Sequence, residues 1–197
     1  MDIEYIKDHY KFETLSEKHD LSNFECDSED LNDFLKNDAL KQQKEKLNLT
    51  KLITCDDEII GFVSLLTDSM KLKLLRDEIE KEKIKGKLTV SENNPIPAIK
   101  IGRFAIDRKY SGQGLGSHIL RSILVSIKVI SENTVGLRFI VVEGYAKSYK
   151  FYTEHNGFSN LKKDDEKIKN ITSIIKKDPE RTFYLYLDIK LLKSLSI

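Results

Sequence analysis

The order of apolar runs predicts one mixed α/β domain of 197 residues, with strands first and then strand, helix, strand, helix, strand. Three observations carry that reading. Leu49–Thr54 and Ile59–Leu66 are rich in Ile, Val, Leu and Thr, and the acidic stretch Cys55-Asp56-Asp57-Glu58 between them makes the pair a hairpin. A glycine-rich turn joins a strand over Ile99–Ile106 to a long helix after Gly116, with Ile119, Leu120, Ile123, Leu124 and Ile127 as its buried stripe. Leu137–Val142 is nearly continuously apolar, as a strand covered on both faces should be.

The remaining elements follow in order. Tyr10–Leu15 alternates as a first strand. Asp27 and Ser28 are helix N-cap residues with acids behind them, and Leu31, Phe34, Leu35, Ala39 and Leu40 recur at helical spacing up to about Lys46. Leu72, Leu75, Ile79 and Glu82 fit one weakly amphipathic helix that Gly86 stops, and Ser91–Pro97 is a turn-rich connection, so 69–98 reads as a solvated, packed-on helical and loop insertion. Ala146–Asn156 is a helix stopped by Gly157, and Phe183–Ile189 is the last strand.

Bulk properties exclude several classes. Lys plus Arg number 33 against 32 Asp plus Glu, a net charge of +1, so no global basic surface points to nucleic acid. Cys26 and Cys55 make neither a disulfide framework nor a CxxC site, and read as reduced structural thiols of a cytoplasmic protein. The first ten residues carry charges every few positions, unlike a signal peptide, and no apolar run is long enough to span a bilayer. His9, His19, His118 and His155 are scattered, so a metal site is not expected.

The most informative segment is Ser111-Gly112-Gln113-Gly114-Leu115-Gly116-Ser117. A glycine turn at a helix N-terminus gathers backbone N–H groups where the helix dipole favours negative charge, which suits a pyrophosphate. The Rossmann fingerprint fails, because Ser117 stands where its third glycine belongs, and no Walker A run exists. With its strand, this segment resembles the coenzyme A motif of the GNAT N-acetyltransferases, Q/R-x-x-G-x-G/A. Gly114 and Gly116 match the small positions, Gly112 is a further common feature, and Ser111 replaces the Gln or Arg. That departure removes one side-chain contact and leaves the backbone amides intact; Arg108 or Lys109 would compensate. Phe151-Tyr152 and Gly157-Phe158 resemble the family's late helix motif, with four residues between Tyr152 and Gly157 where three are common. Phe24-x-Cys26, Leu31-Asn32-x-Phe34-Leu35 and Ala39, with the Gly102–Asp107 strand, are similar to GNAT-type toxins of toxin–antitoxin pairs.

The resemblance covers nearly the whole chain, most specifically 99–158. It implies a mixed, mostly antiparallel sheet of about six to seven strands, flanked by helices and splayed between the fourth and fifth strands. It implies acetyl-CoA as cosubstrate, its pantetheine along Phe104, Ala105 and Ile106 and its pyrophosphate on Ser111–Ser117. It makes Tyr152 the general acid that protonates the departing thiolate. Tyr149, one helical turn away, would substitute if the register shifts. No general base stands out: Glu143 and Asp107 end strands and read as solvated, His118 as solvent-facing. The reaction implied is acetyl transfer to an amine; the sharper reading is a toxin that acetylates aminoacyl-tRNA, and a further alternative is a non-catalytic coenzyme A-binding module. Partners under these readings are tRNA, met by Arg103, Arg108, Lys109, Lys147 and Lys150, an antitoxin, and a second copy of the chain; no membrane is expected.

Overall fold

A computed structural model describes residues 1–75, 78–87, 91 and 93–192. Its elements are α1 (Ile3–His9), β1 (Lys11–Thr14), α2 (Glu29–Asp33), a π-helical turn (Phe34–Asp38), α3 (Ala39–Lys44), β2 (Leu49–Cys55), β3 (Glu58–Lys71), α4 (Glu78–Lys87), β4 (Pro95–Ile106), α5 (Leu115–Asn133), β5 (Phe139–Tyr145), β6 (Ser159–Asn160), α6 (Asp165–Ile168), α7 (Ile171–Lys177) and β7 (Thr182–Asp188). The strand order is β1-β2-β3-β4-β5-β7-β6. The pairs β1–β2, β2–β3, β5–β7 and β6–β7 are antiparallel. β4 and β5 are parallel. A parallel pair needs a crossover, and the 19 residues of α5 supply it. This is the GNAT-like sheet that the resemblance implies.

The chain forms two compact units, Met1–Leu66 with Ile101–Ile123, and Thr67–Lys100 with Leu124–Ile197. In the first, the β2–β3 hairpin turns on Asp56 and Asp57, both at positive φ (45° and 64°), a geometry that Asp tolerates and a two-residue hairpin favours. Its core holds Leu15, Phe24, Cys26, Phe34, Leu35, Ala39, Leu52, Phe62 and Ala105. Phe62 is met edge-on by Phe24 (5.7 Å) and is stacked on Phe34 (6.1 Å). Ser28 occupies the N-cap position of α2, but its hydroxyl makes no capping bond. Asn32 instead reaches back, its Oδ1 accepting from the Cys26 N–H (2.8 Å) and its Nδ2 donating to the Cys26 carbonyl (3.0 Å). The helix expected from here to about Lys46 is present with a π-helical turn in its middle.

The second unit has its own core: Met70, Leu72, Leu75, Ile84, Ile96, Ala98, Phe139, Val141, Leu161 and Tyr186. Here the expected helix over Leu72–Glu82 gives way to other structure. β3 runs on to Lys71, Leu72–Leu74 is a 3₁₀ turn, and α4 begins at Glu78 and contains Gly86 rather than ending there. Met70 and Leu72, with Ile96 and Ala98 of β4, join one buried cluster with Phe139 and Val141, and that burial outweighs helical propensity. The placement of Ile79's side chain lies outside the described residues. All five stripe residues of the long helix, Ile119, Leu120, Ile123, Leu124 and Ile127, are buried as their spacing predicts. No described helix is long and apolar enough to cross a membrane.

Candidate active site

In the first unit β4 ends in alternation: Ala105 is buried in the core, while Phe104 and Ile106 are half-buried on the opposite face. A side chain at Gly61 of β3 would stand 2.7 Å from the Ala105 carbonyl oxygen, so glycine there permits the close approach of the two strands. Asp107 follows and is buried, against the expectation of a solvated strand end. Its Oδ1 accepts from the Lys109 N–H (2.9 Å) and its Oδ2 from the Glu25 N–H (3.1 Å). A carboxylate with both oxygens engaged by backbone is a bracket for the loop, not a free base.

The turn itself hangs between two buried residues. Tyr110 (5% exposed) closes a 3₁₀ turn over Arg108–Tyr110, and Leu115 (0%) opens α5. The four residues between them, Ser111, Gly112, Gln113 and Gly114, are exposed. Gly112 and Gly114 have φ of 75° and 81°, and a Cβ added at either would meet nothing within 4 Å. Glycine is therefore needed at both for backbone conformation, with the space around them left open for a ligand. The His118 N–H closes the first turn of α5 on the Gly114 carbonyl (3.3 Å). The N–H groups of Leu115, Gly116 and Ser117 precede it in the first turn of the helix. His118 is half-buried, its ring edge-on to Tyr10 (5.8 Å), rather than facing solvent alone.

Arg108 and Lys109, expected to compensate for Ser111, have other partners. Arg108 Nε donates to Asp27 (2.8 Å) and its Nη1 to Glu25 (3.0 Å), and these acids raise its pKa. Lys109 Nζ donates to Glu58 Oε1 (2.8 Å), which raises the lysine's pKa and lowers that of Glu58. The Tyr110 hydroxyl donates to the other oxygen of Glu58 (2.9 Å). Burial first, and then that bond, push Tyr110 to about 12. The remaining basic candidates are likewise countered: Arg103 lies 4.0 Å from Asp30 and over the Phe34 ring, Lys147 is 3.5 Å from Glu180 and Lys150 is 3.8 Å from Glu154.

In the second unit β5 leads through a 3₁₀ turn, Ala146–Ser148, into a short helix that finishes as a π-helical turn over Phe151–His155. The fourth residue between Tyr152 and Gly157 is absorbed there. The Phe158 N–H bonds the Tyr152 carbonyl (3.0 Å), one residue further along than the usual six-to-one closure of a helix end, and Gly157 supplies the positive φ of 73°. Asn156 Nδ2 donates to the Phe151 carbonyl (2.7 Å). Tyr152 is 6% exposed, edge-on to Phe151 (5.0 Å) and Phe158 (5.6 Å). Burial pushes its phenol well above the ordinary range, so it is protonated at any neutral pH. Among the described residues no hydrogen bond reaches its hydroxyl. Tyr149, by contrast, donates to Asn160 Oδ1 (3.3 Å) and packs edge-on to Phe183 (5.7 Å). Glu143 accepts from Lys100 (3.0 Å) and Thr182 (3.2 Å).

Two supports escaped sequence reasoning. One is the Tyr110–Glu58 bond, which joins positions 52 apart and leaves no local signal. The other is Gly144: a Cβ there would stand 3.0 Å from Tyr152 Cε2 and 3.1 Å from Cδ2, so glycine makes room for the ring. An isolated glycine inside an apolar strand was its signal.

No family model matches the chain. In sequence it is similar to a tRNA-acetylating toxin of Mycobacterium tuberculosis (strain ATCC 25618 / H37Rv), 28% identical over 145 residues, 73% of this chain and 81% of the relative. In structure it is similar to AtaT complexed with acetyl-methionyl-tRNAfMet, with a TM-score of 0.70 and 21% identity over 92% of this chain and 95% of the other. It is also similar to AtaTR bound with AcCoA, with a TM-score of 0.67 and 23% identity over 93% and 95% of the two chains. A tyrosine-to-phenylalanine variant of KacT matches with a TM-score of 0.70 and 20% identity over 92% and 96%.

Proposed function

We propose that this chain is an acetyl-CoA-dependent N-acetyltransferase that acetylates the α-amino group of an aminoacyl-tRNA, as the toxin of a toxin–antitoxin pair. The likeness in sequence to a tRNA-acetylating toxin over 73% of the chain carries this reading. The open glycine turn supports the cosubstrate. Its two positive-φ glycines and the N–H groups of Leu115, Gly116 and Ser117 suit the pyrophosphate of coenzyme A. In this reading the pantetheine lies along Phe104, Ala105 and Ile106.

The amine nitrogen attacks the thioester carbonyl carbon, and the tetrahedral adduct collapses with loss of the C–S bond. The electron pair leaves on sulfur, and the Tyr152 phenol gives it a proton. The amine's surplus proton passes to water, and a proton from solvent restores the phenol. The raised phenol does not handicap this step, because a thiolate expelled beside it into the same dry surroundings is raised too.

The choice of amine follows from the partners of the two acids nearest the proposed site among the described residues. Both oxygens of Asp107 are held by backbone, and Glu143 is paired with Lys100. A lysine ε-amine, with a pKa of about 10.4, would need its proton removed, whereas an α-amino group near 7.7–8.0 is partly neutral at pH 7 without help. The test supplies labelled acetyl-CoA with aminoacyl-tRNA, uncharged tRNA or a lysine-rich peptide. Label is expected on the aminoacyl-tRNA alone. Label on the peptide, with none on charged tRNA, overturns the assignment of the acceptor.

A further inference from the structure

The glycine turn is exposed along its four middle residues; a Cβ added at Gly112 or Gly114 would meet nothing within 4 Å, and Gln113 Nε2 donates back to the Lys109 carbonyl at the root (3.4 Å). Its conformation is therefore set at its two roots. Leu115 is anchored by complete burial at the start of a long amphipathic helix. The other root, Arg108–Tyr110, is a single 3₁₀ turn, too short to hold its own geometry.

Several contacts fix that root, and they are unequal. The ion pairs of Arg108 with Glu25 and Asp27 join side chains that are each more than half exposed, where solvent screens them. The Asp107 carboxylate tethers the start of the turn, accepting from the Glu25 N–H and from the Lys109 N–H within it, and the Arg108 N–H donates to the Glu25 carbonyl (2.7 Å). Tyr110 is buried and adjoins Ser111, the turn's first residue, and its hydroxyl ends on Glu58 at the start of β3, directly after the Asp56-Asp57 hairpin. A bond to a carboxylate, made from a buried donor, is among the stronger a side chain forms.

We infer that Tyr110, through its hydrogen bond to Glu58, is a positioning residue of the acetyl-CoA site, fixing the root of the Ser111–Ser117 turn so that its backbone N–H groups are ordered before the pyrophosphate arrives. This rests on the reading of the turn as the coenzyme A cradle. Ligand binding then need not order the loop, and the saving appears in affinity rather than in the chemical step.

The experiment measures acetyl-CoA binding by calorimetry, and KM and kcat, for the full chain and for Tyr110→Phe, Glu58→Ala and Glu58→Gln. Tyr110→Phe and Glu58→Ala each break the bond, and each should weaken acetyl-CoA binding about tenfold, raising KM with kcat nearly unchanged. Glu58→Gln keeps an amide oxygen for the hydroxyl and should restore most of the affinity, although it loses the charge opposite Lys109. The double variant Tyr110→Phe/Glu58→Ala should bind no worse than either single variant, because one interaction is lost only once. Wild-type affinity in both Tyr110→Phe and Glu58→Ala overturns the inference, as does a fall in kcat equal to the rise in KM. Wild-type protein that binds no acetyl-CoA defeats the cradle reading itself, and the inference with it.

Discussion

Gly144→Ala adds one carbon to β5 and tests whether the placement of Tyr152 matters. The added Cβ would lie 3.0 and 3.1 Å from two ring carbons of Tyr152. Ordinary carbon contacts are about 3.5–4.0 Å, so the ring must retreat by roughly 0.5–1 Å. Phe151 and Phe158 stand edge-on to it at 5.0 and 5.6 Å and resist that movement. Overpacking of this kind costs about 1–3 kcal/mol, a fall in Tm of roughly 2–12 °C for a chain of this size. Stability is thus dented while the chemistry suffers more, since a displacement of about 1 Å in a reacting group costs about 100-fold. The assay is kcat at saturating acetyl-CoA and acceptor, with thermal melts alongside. A kcat within twofold of wild type, in a variant whose Tm has fallen as stated, would falsify the assignment of the acid to Tyr152.

Four further outcomes follow from the same geometry. Tyr152→Phe leaves the ring packing and removes a hydroxyl with no partner among the described residues, so Tm should hold while kcat falls by at least about 100-fold. Tyr149→Phe, which breaks the bond to Asn160, should cost about 1 kcal/mol in a melt and leave kcat nearly unchanged. Gly114→Val forces a β-branched residue to φ of 81° and should weaken acetyl-CoA binding in calorimetry by about tenfold or more, through the backbone rather than through a clash. The pairing with Lys109 lowers the pKa of Glu58, so its contribution to stability is full above the ordinary carboxylate value of about 4.3 and is lost as pH falls through the lowered one. The margin in Tm of wild type over Glu58→Gln should accordingly shrink as the pH is taken below about 4.3.

Elements with strong period were legible in the sequence, and those decided by distant packing were not. The stripe of α5 announces itself, because five apolar residues at helical spacing have only one way to be buried together. The hairpin was equally plain, since two β-rich runs flank a polar pair that tolerates positive φ. Leu72 and Leu75 misled because their spacing also fits a helix. What decides them is contact with Phe139 and Val141, more than 60 positions away. The glycine turn was legible as a turn with a strand before it and a helix after it, but its supports were not. Tyr110 and Glu58 meet across 52 positions, and Asp107 looked like a solvated strand end until its oxygens were found on backbone amides. Charge misled in the same way: Arg108 and Lys109 read as anion ligands in one dimension and as partners of Glu25, Asp27 and Glu58 in three.

The spacing of Tyr152 from Gly157 shows what an inserted residue costs when both its flanks are anchored. Tyr152 is held against Gly144, and Phe158 leads directly into β6, whose Ser159 and Asn160 pair with Tyr186 and Leu185. Neither end can slide, so four residues fit where an α-helical end uses three only by widening the last turn into π geometry. The residue to remove is Glu154, an exposed side chain whose one ion pair, with Lys150, spans 3.8 Å at the surface and is worth little. Deleting it should let the turn close as a regular helix end, with the Phe158 N–H again six-to-one on the Tyr152 carbonyl. If the widened turn merely accommodates length, the deletion keeps Tyr152 on Gly144, holds Tm within about 3 °C, the equivalent of roughly 1 kcal/mol, and leaves kcat within about threefold of wild type. Tyr152→Phe in the deletion background should then lose the same 100-fold as in the full chain. A deletion variant that melts normally but has lost turnover would mean that the π turn itself aims the tyrosine.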